Sequence, residues 1–257
     1  NGSPGIAVGN VVGSNIANIL LILGLSAVIY PMAVNPKGFK RDALMLVASA
    51  VACAVVVVYG RMGPLVGVLF VLSLFAYVGY VYRQEKTAPD EAAVVAEHRS
   101  DDARKGPKTI ILAVLMAVVG IAITIYGAKF LVGGAIELAK SYGVSDAIIG
   151  LTIVAVGTSM PEFVTSVMAA IRKHADVAYG NIIGSNIYNI LFILGATSFV
   201  KPIDMPAQIA RFDIWVMLAT TALLVVFART GIKLQRWEGC VFIGCYVAYT
   251  GYLISIA

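Results

Sequence analysis

Charged side chains are scarce in this sequence, and histidine and cysteine are scarcer still. Only 13% of the 257 residues are charged, whereas 60% are hydrophobic and the mean hydropathy is +0.89. A soluble domain typically has about 25% charged residues. Apolar runs of about 18 residues or more recur along the chain, which is the length needed to cross a bilayer. The composition therefore excludes an ordinary soluble protein and predicts an all-α polytopic membrane protein.

The few cysteines and histidines exclude two kinds of catalytic site. Cys53, Cys240 and Cys245 fall within predicted spans and lack metal-site spacing, so we interpret them as small packing residues. His98 and His174 both fall in predicted loops. Without a histidine in a span, the sequence has no histidine-based hydrolytic site and no Cys/His metal cluster. We therefore expect neither an enzyme nor a bound cofactor.

One sixteen-residue segment occurs twice. Residues 9–24 and 180–195 are identical at twelve positions, at an offset of 171 residues. The match continues beyond the segment, because the same offset relates Pro31 to Pro202, Asp42 to Asp213 and Gly60 to Gly231. Self-similarity of this kind predicts a duplicated structural unit.

Eight spans are predicted, separated by short loops and by one long polar segment, 83–108. They are 5–30, 42–60, 65–82, 109–140, 145–171, 177–200, 212–228 and 237–257. The two copies of the repeated segment lie on the first and sixth spans. An odd separation means that they cross the membrane in opposite directions, which predicts an inverted-topology repeat. We assign residues 1–82 to an incomplete first repeat, 83–108 to a linker and 109–257 to the second repeat.

The distribution of basic residues predicts the orientation. Fourteen Lys and Arg residues fall on one side of the eight predicted spans and four on the other. Because an excess of Lys and Arg marks the cytoplasmic side, the linker is predicted to be cytoplasmic and the C-terminus external. The net charge of +5 is thus interpreted as a topology signal rather than as a nucleic-acid footprint.

Two polar stripes accompany the repeated segment, because residues four apart share one face of a helix. They are Asn10, Ser14 and Asn18 in the first copy, and Asn181, Ser185 and Asn189 in the second. Amides and hydroxyls in membranes also serve simply to hold helices together. Two matched stripes in opposite orientation favour an ion path instead. Gly-x-x-x-Gly pairs beside each stripe, at 9–13 and 180–184, predict close helix contacts.

Glu162 is the strongest single candidate for an ion ligand, because a carboxylate in the middle of a span is costly and usually functional. Ser159 lies three residues earlier on the same face, so its hydroxyl and the carboxylate can converge on one cation. Pro161 has no N–H for the carbonyl of Gly157, so the helix is expected to bend there. Such oxygens suit Na⁺ and Ca²⁺. The alternative is an acid paired with Lys129 or packed in the kink.

The motif Gly-Thr-Ser-Met-Pro-Glu at 157–162, followed by Gly-Asn-Ile-Ile-Gly-Ser-Asn at 180–186, resembles an α-repeat of the cation/calcium exchanger superfamily. The likeness is greatest to prokaryotic sodium/calcium exchangers and covers essentially the whole chain. It implies two inverted five-helix repeats, with Ca²⁺ and Na⁺ bound between the α-repeats. The resemblance also implies a location in the lipid bilayer of the cell membrane and no nucleic-acid partner. It leaves the oligomeric state open.

The resemblance also implies a set of ion ligands. They are Glu162, Ser159, Thr158 and the carbonyl of Ala155, with Ser185 and Asn189 completing the second repeat and Ser14 and Asn18 mirroring them in the first. Further candidates along the ion path are Asn181, Asn186, Asn10 and Asn15. Some potassium-dependent relatives have Asp in place of Asn189, so the neutral residue here argues against potassium co-transport.

The sequence departs from the family pattern at its start. Family members carry a first Gly-Thr-Ser-x-Pro-Glu motif ahead of the segment equivalent to 9–24, and these 257 residues begin after it. One carboxylate leaves a divalent cation uncompensated in a low-dielectric site. We therefore expect an N-terminally truncated exchanger that does not carry out normal exchange by itself.

The resulting functional prediction is a secondary antiporter that couples inward Na⁺ movement to Ca²⁺ extrusion by alternating access. A proton-coupled Ca²⁺ antiporter, in which Glu162 carries the proton, is the alternative within transport. A non-transporting scaffold or an ion-sensing subunit is the alternative from a different class.

Overall fold

A computed structural model describes residues 4–34, 36–86, 107–144 and 146–256 as a bundle of helices with two small strand pairs. The α-helices are α1 (Pro4–Ala17), α2 (Gly24–Ile29), α3 (Pro36–Tyr59), α4 (Pro64–Lys86), α5 (Pro107–Ser141), α6 (Asp146–Ile149), α7 (Ala155–Thr158), α8 (Met160–Ile171), α9 (Ala175–Tyr188), α10 (Gly195–Val200), α11 (Ile214–Gly231) and α12 (Arg236–Ser255). Four π-helical segments interrupt them: π1 (Asn18–Leu23), π2 (Gly150–Val154), π3 (Asn189–Leu194) and π4 (Ile209–Asp213).

Local sequence explains where several helices begin. Helices α1, α3, α4 and α5 each start at a proline, whose missing N–H is not needed in the first turn of a helix. Helix α12 begins with a capping box, in which the backbone N–H of Gln235 donates to Glu238 Oε2 at 2.7 Å. Glu238 is buried, so this cap also accounts for a carboxylate inside the fold.

Six helical stretches are long and apolar enough to cross a membrane, and the bent pair 150–158 and 160–171 is a seventh candidate. The chain is thus a multi-pass membrane protein. The eighth predicted span, 237–257, is observed as α12, but it is not among these candidates. Three glycines and three tyrosines dilute its apolar residues, although its 20 residues extend about 30 Å.

The segment predicted as a polar linker, 83–108, lies mostly outside the described residues. Its two ends are helical, because α4 continues to Lys86 and α5 already begins at Pro107. Helix α5 has 35 residues and is about 52 Å long, well beyond the roughly 30 Å of a hydrocarbon core. A helix of this length must tilt or extend beyond the hydrocarbon core.

Matched contacts join the two copies. Strand β1 (Met32–Ala33) pairs with β4 (Lys233–Leu234), and β2 (Arg61–Met62) pairs with β3 (Ile203–Asp204). Strands β1 and β3 are related by the 171-residue offset, so each copy contributes the same two elements to the partner copy. The crossing of α2 with α12 likewise corresponds to the crossing of α10 with α4, each made at a pair of glycines.

The Gly-x-x-x-Gly pairs beside the two stripes differ in how closely other elements pack against them. At Gly13 the backbone of α1 touches the backbone of Leu151 on π2, as the close-contact prediction requires. Nothing described lies within 4 Å of a Cβ placed at Gly180 or Gly184. The close-contact prediction is therefore wrong for the second pair among the described residues, because no described element packs there.

Candidate functional site

The predicted helix break is present at Ser159. Helix α7 ends at Thr158, α8 begins at Met160, and the two arms are bent by 56°. Ser159 itself has φ −86° and ψ 6°, outside the helical range, and is buried. Pro161 lies in the first turn of α8, where its lack of an N–H is tolerated. The break therefore directs Ser159 and Glu162 into the interior from the ends of two short helices.

Glu162 is a partly buried carboxylate with one oxygen that is unpartnered within the part of the chain that the structure describes. Its side chain is partly buried, and Oε2 is buried without a hydrogen-bond partner among the described residues. The hydroxyl of Ser185 on α9 hydrogen-bonds its carboxylate. No ion pair joins Glu162 to Lys129 in the described part of the chain. Lys129 instead lies over the ring of Tyr126, at 5.7 Å from the ring centroid.

Asn181 fastens α9 to α8 just behind Glu162. Its Nδ2 lies 2.9 Å from Ser166 Oγ and 3.3 Å from the backbone oxygen of Glu162. Ser166 is fully buried. It was not predicted, although it lies four residues after Glu162 on the same helical face, and this spacing is the signal that would have found it. Asn181 therefore sets the position of the acidic residue rather than presenting a free amide.

The two polar stripes meet across the interface between the copies. Asn18 Nδ2 donates to Asn186 Oδ1 at 3.0 Å, and Asn189 Nδ2 donates to Ser14 Oγ at 3.2 Å. Ser14, Asn18, Asn186 and Asn189 are all buried. Within the stripe of the second copy, Asn181 and Ser185 contact Glu162, whereas Asn189 contacts the first copy.

Thr158 and Asn10 form another link between the copies. Thr158 Oγ1 lies 2.7 Å from Asn10 Oδ1 and 3.2 Å from the carbonyl oxygen of Ala155. The same carbonyl accepts the N–H of Ser159 at 3.2 Å. The hydroxyl proton can serve only one acceptor at a time, so either oxygen can be released toward a cation.

Several buried polar atoms around this interface have no partner among the described residues. Both side-chain polar atoms of Asn15 are in this state, as are Asn18 Oδ1 and Asn186 Nδ2. Leaving such an atom unpaired costs about 1–3 kcal/mol, so each one needs an explanation such as an ion or ordered water. The unpaired oxygens are amide and carboxylate oxygens, which are hard ligands suited to Na⁺ and Ca²⁺.

Both stripes end at π-helical segments, which the sequence does not predict. The segments π1 and π3 start at the matched residues Asn18 and Asn189. A π-helix leaves backbone carbonyls out of the regular i to i−4 pattern and is frequent at functional sites. Among the described residues, no group of three or more His, Cys, Asp and Glu side chains could hold a metal. As far as the structure describes it, the candidate site consists of amides, hydroxyls, carbonyls and a single carboxylate.

A multi-pass helical bundle with a partly buried carboxylate at a broken helix, close to an interface of amides and hydroxyls between two copies of a repeated segment, has the architecture of a membrane cation transporter. The model of the family described as "Sodium/calcium exchanger protein" matches residues 1–83 and 112–255. The chain belongs to this sodium/calcium exchanger family, which is a family of transporters rather than of enzymes.

Individual relatives agree with this assignment. The sodium/calcium exchanger MaX1 of Methanosarcina acetivorans is 33% identical over 286 aligned residues, covering 99% of this chain and 81% of the relative. The inner membrane protein YrbG of Escherichia coli is 30% identical, with 96% and 77% covered. The solved structure of the exchanger NCX_Mj, soaked with Na⁺ and without Ca²⁺, superposes with a TM-score of 0.72 at 29% identity, covering 95% of this chain and 76% of that one.

Proposed function

We propose that this protein is a secondary active antiporter that exchanges Na⁺ for Ca²⁺ by alternating access. The cations bind at the break around Ser159 and Glu162. The observation that carries the proposal is the Glu162 carboxylate, which has a buried, unpartnered oxygen beside the Ser185 hydroxyl. A buried carboxylate without a counter-cation is unfavourable, so a transported cation is its natural partner.

The ligand set extends from this carboxylate into both copies. On the second copy it comprises Glu162, Ser159, Thr158, the Ala155 carbonyl, Ser185 and Asn189, and on the first copy Ser14 and Asn18. The hydrogen bond between Asn189 and Ser14 supports this assignment, because it brings oxygen-bearing side chains of both copies together away from water. Asn10, Asn15, Asn181 and Asn186 line or brace the path. A single site that accepts either ion enforces exchange, because one cation must leave before the other binds.

The two copies are the halves of an inverted repeat in this proposal. Residues 1–82 belong to the first half and 109–257 to the second. The reciprocal strand pairs β1–β4 and β2–β3 support this division, since a two-fold relation between the halves produces both pairs. The segment 83–108 is cytoplasmic and the C-terminus external, as the distribution of Lys and Arg favours. An inverted repeat places the ion site at the midplane and lets one half rock against the other.

Transport by the intact protein in lipid vesicles tests the ion pair directly. We expect uptake of radioactive Ca²⁺ when the vesicles contain Na⁺ and the medium does not, at equal pH on both sides. A pH gradient without Na⁺ should drive no uptake. Uptake under the pH gradient would instead establish proton coupling, with Glu162 as the proton carrier. Ca²⁺ binding without uptake under either gradient would favour an ion-sensing or scaffold role.

Asn189→Asp is expected to change the ion preference while leaving the fold intact. The substitution keeps the shape of the side chain and places a negative charge opposite Ser14, where a divalent cation gains more than a monovalent one. We expect the ratio of Ca²⁺ to Na⁺ affinity to rise by about tenfold, or about 1.4 kcal/mol. Competition of Na⁺ against radioactive Ca²⁺ binding measures this ratio. An unchanged ratio in a folded variant would show that Asn189 does not line the site.

A further inference from the structure

A second pair of matched acidic residues lies away from the Glu162 break. Asp42 at the start of α3 accepts a hydrogen bond from the hydroxyl of Tyr77 on α4 at 2.8 Å. Asp213 at the end of π4 accepts one from the hydroxyl of Tyr249 on α12 at 2.9 Å. The two aspartates are 171 residues apart and the two tyrosines 172, so these are equivalent sites in the two copies.

The equivalent sites differ in how the carboxylate is neutralised. In the first copy, Nε of Arg41 lies 2.6 Å from Asp42 Oδ1, which makes a direct ion pair. The residue 171 positions after Arg41 is Phe212. Its ring packs on Tyr252 at a centroid distance of 4.7 Å and on Tyr249 at 6.4 Å. The second copy therefore keeps the acid and the tyrosine but replaces the guanidinium by an aromatic ring.

As a result, Asp213 is buried without a counter-cation among the described residues. Its side chain is 0% exposed, and Oδ2 has no hydrogen-bond partner in that part of the chain. A cavity of about 290 Å³ adjoins it, lined by Gln208, Arg211, Phe212, Asp213, Tyr252 and Ile256. The amide Nε2 of Gln208 is also buried and unpartnered. The structure thus contains a cavity with an unsatisfied acid in its wall.

Among the described residues, the groups that face Asp213 from neighbouring elements do not supply a positive charge. Helix α12 brings the phenols of Tyr249 and Tyr252, and α1 has no titratable side chain. Helix α3 approaches with its C-terminal end, since the N–H of Met205 donates to the carbonyl of Gly60. The charged groups at that end, Arg61 and Asp204, lie 3.8 Å from each other. Arg211 lines the same cavity, but its side chain is exposed and makes no ion pair with Asp213.

We propose that Asp213 is a proton-binding site, distinct from the cation site at Glu162, in which a proton takes the place that Arg41 occupies at Asp42. A proton needs only the one free carboxylate oxygen, and the protonated acid can donate a hydrogen bond into the cavity. Among the described residues, no cluster of three or more His, Cys, Asp and Glu side chains surrounds it that could hold a metal ion. A lone buried carboxylate in apolar surroundings is most readily neutralised by a proton.

The proposal predicts that protein stability falls as the pH rises. If the folded protein holds a proton on Asp213 that the unfolded chain releases, raising the pH favours unfolding. Asp213→Asn is neutral at every pH and still accepts the hydrogen bond from Tyr249. We therefore expect Asp213→Asn to fold with wild-type stability at low pH and to lose this part of the pH dependence. Thermal unfolding of the intact protein in detergent at a series of pH values measures the difference between variant and wild type.

Infrared spectroscopy provides the direct readout. The carbonyl stretching band of protonated carboxylic acids should be weaker in Asp213→Asn than in the wild type, by the contribution of one acid. Phe212→Arg should weaken the band to the same extent, because it restores the guanidinium found at Asp42, whereas Arg211→Gln should leave it at the wild-type intensity. Asp42→Asn is the matched control and should leave the band unchanged while lowering the unfolding temperature, since it leaves Arg41 without its carboxylate.

Two results would overturn the proposal. The first is an acid band that survives in Asp213→Asn with its intensity unchanged, and the second is a loss of stability in that variant at low pH as large as in Asp42→Asn. Neither measurement depends on transport, so the result is independent of whether the protein exchanges Na⁺ for Ca²⁺.

Discussion

In the intact protein, Glu162→Gln is expected to abolish uptake of radioactive Ca²⁺ driven by a Na⁺ gradient. Glutamine keeps the size of the side chain and can still accept the Ser185 hydrogen bond, but it removes the negative charge of this carboxylate from the site. The free energy that a cation gains there in a low-dielectric environment is then lost. We expect a decrease of at least about a hundredfold in Ca²⁺ affinity, which corresponds to about 2.8 kcal/mol.

The same substitution at Glu137 is the matched control. Glu137 lies on α5 with an exposed side chain, and we assign it an interfacial rather than an ion-binding position. Glu137→Gln should therefore transport like the wild type. Gel filtration in detergent checks that both variants remain folded. Normal uptake by a folded Glu162→Gln variant would contradict the assignment of this carboxylate to the ion site.

Features set by local chemistry could be predicted from the sequence. A proline after Gly-Thr-Ser-Met is a strong local signal, and the helix indeed breaks at Ser159 with a bend of 56°. The spans 42–60 and 65–82 were placed within a few residues of their observed ends, apart from an earlier start for the first at Pro36. In each of these cases the residues that decide the outcome are neighbours in the chain.

Features that depend on contacts between the copies could not be predicted. Spacing placed Asn189 on the same face as Asn181 and Ser185, and the helix is regular up to Asn189, whose N–H bonds the Ser185 carbonyl, but spacing does not show which element this end of the face contacts. The side-chain amide of Asn189 meets Ser14, 175 residues away. Hydrophobic periodicity also does not predict the π-helix that starts at Asn189. The extra residue in its turn is stabilised by tertiary packing rather than by local propensity.

The assignment of ligand roles also goes beyond what the sequence alone supplies. Polar residues at helical spacing suit both an ion path and helix contact, and the structure contains both arrangements. Asn181 braces the broken helix through Ser166, whereas Glu162 keeps an unpartnered oxygen. Two residues of the same candidate path thus have different local functions, and only their partners distinguish them.

Gly13→Ala is expected to be strongly destabilising, because α1 and π2 touch through their backbones at this position. A Cβ at Gly13 would lie 2.7 Å from Cα and 2.8 Å from the carbonyl carbon of Leu151. Neither atom can move aside as a flexible side chain could, so the helices must separate. Overpacking of this kind typically costs about 1–3 kcal/mol. The separation would also move Ser14 away from Asn189, so Ca²⁺ binding should weaken along with the unfolding temperature.

Gly184→Ala is the control that the duplication provides, because it changes the equivalent glycine of the second copy. Nothing described lies within 4 Å of a Cβ there. Alanine also favours the helix over glycine by up to about 1 kcal/mol. We therefore expect this variant to unfold at the wild-type temperature or above it, in thermal unfolding of the detergent-solubilised protein. Equal decreases in the unfolding temperature of the two variants would show that the contact with Leu151 does not determine the destabilisation by Gly13→Ala. A large decrease in the unfolding temperature of Gly13→Ala alone would show that the same motif packs differently in the two halves.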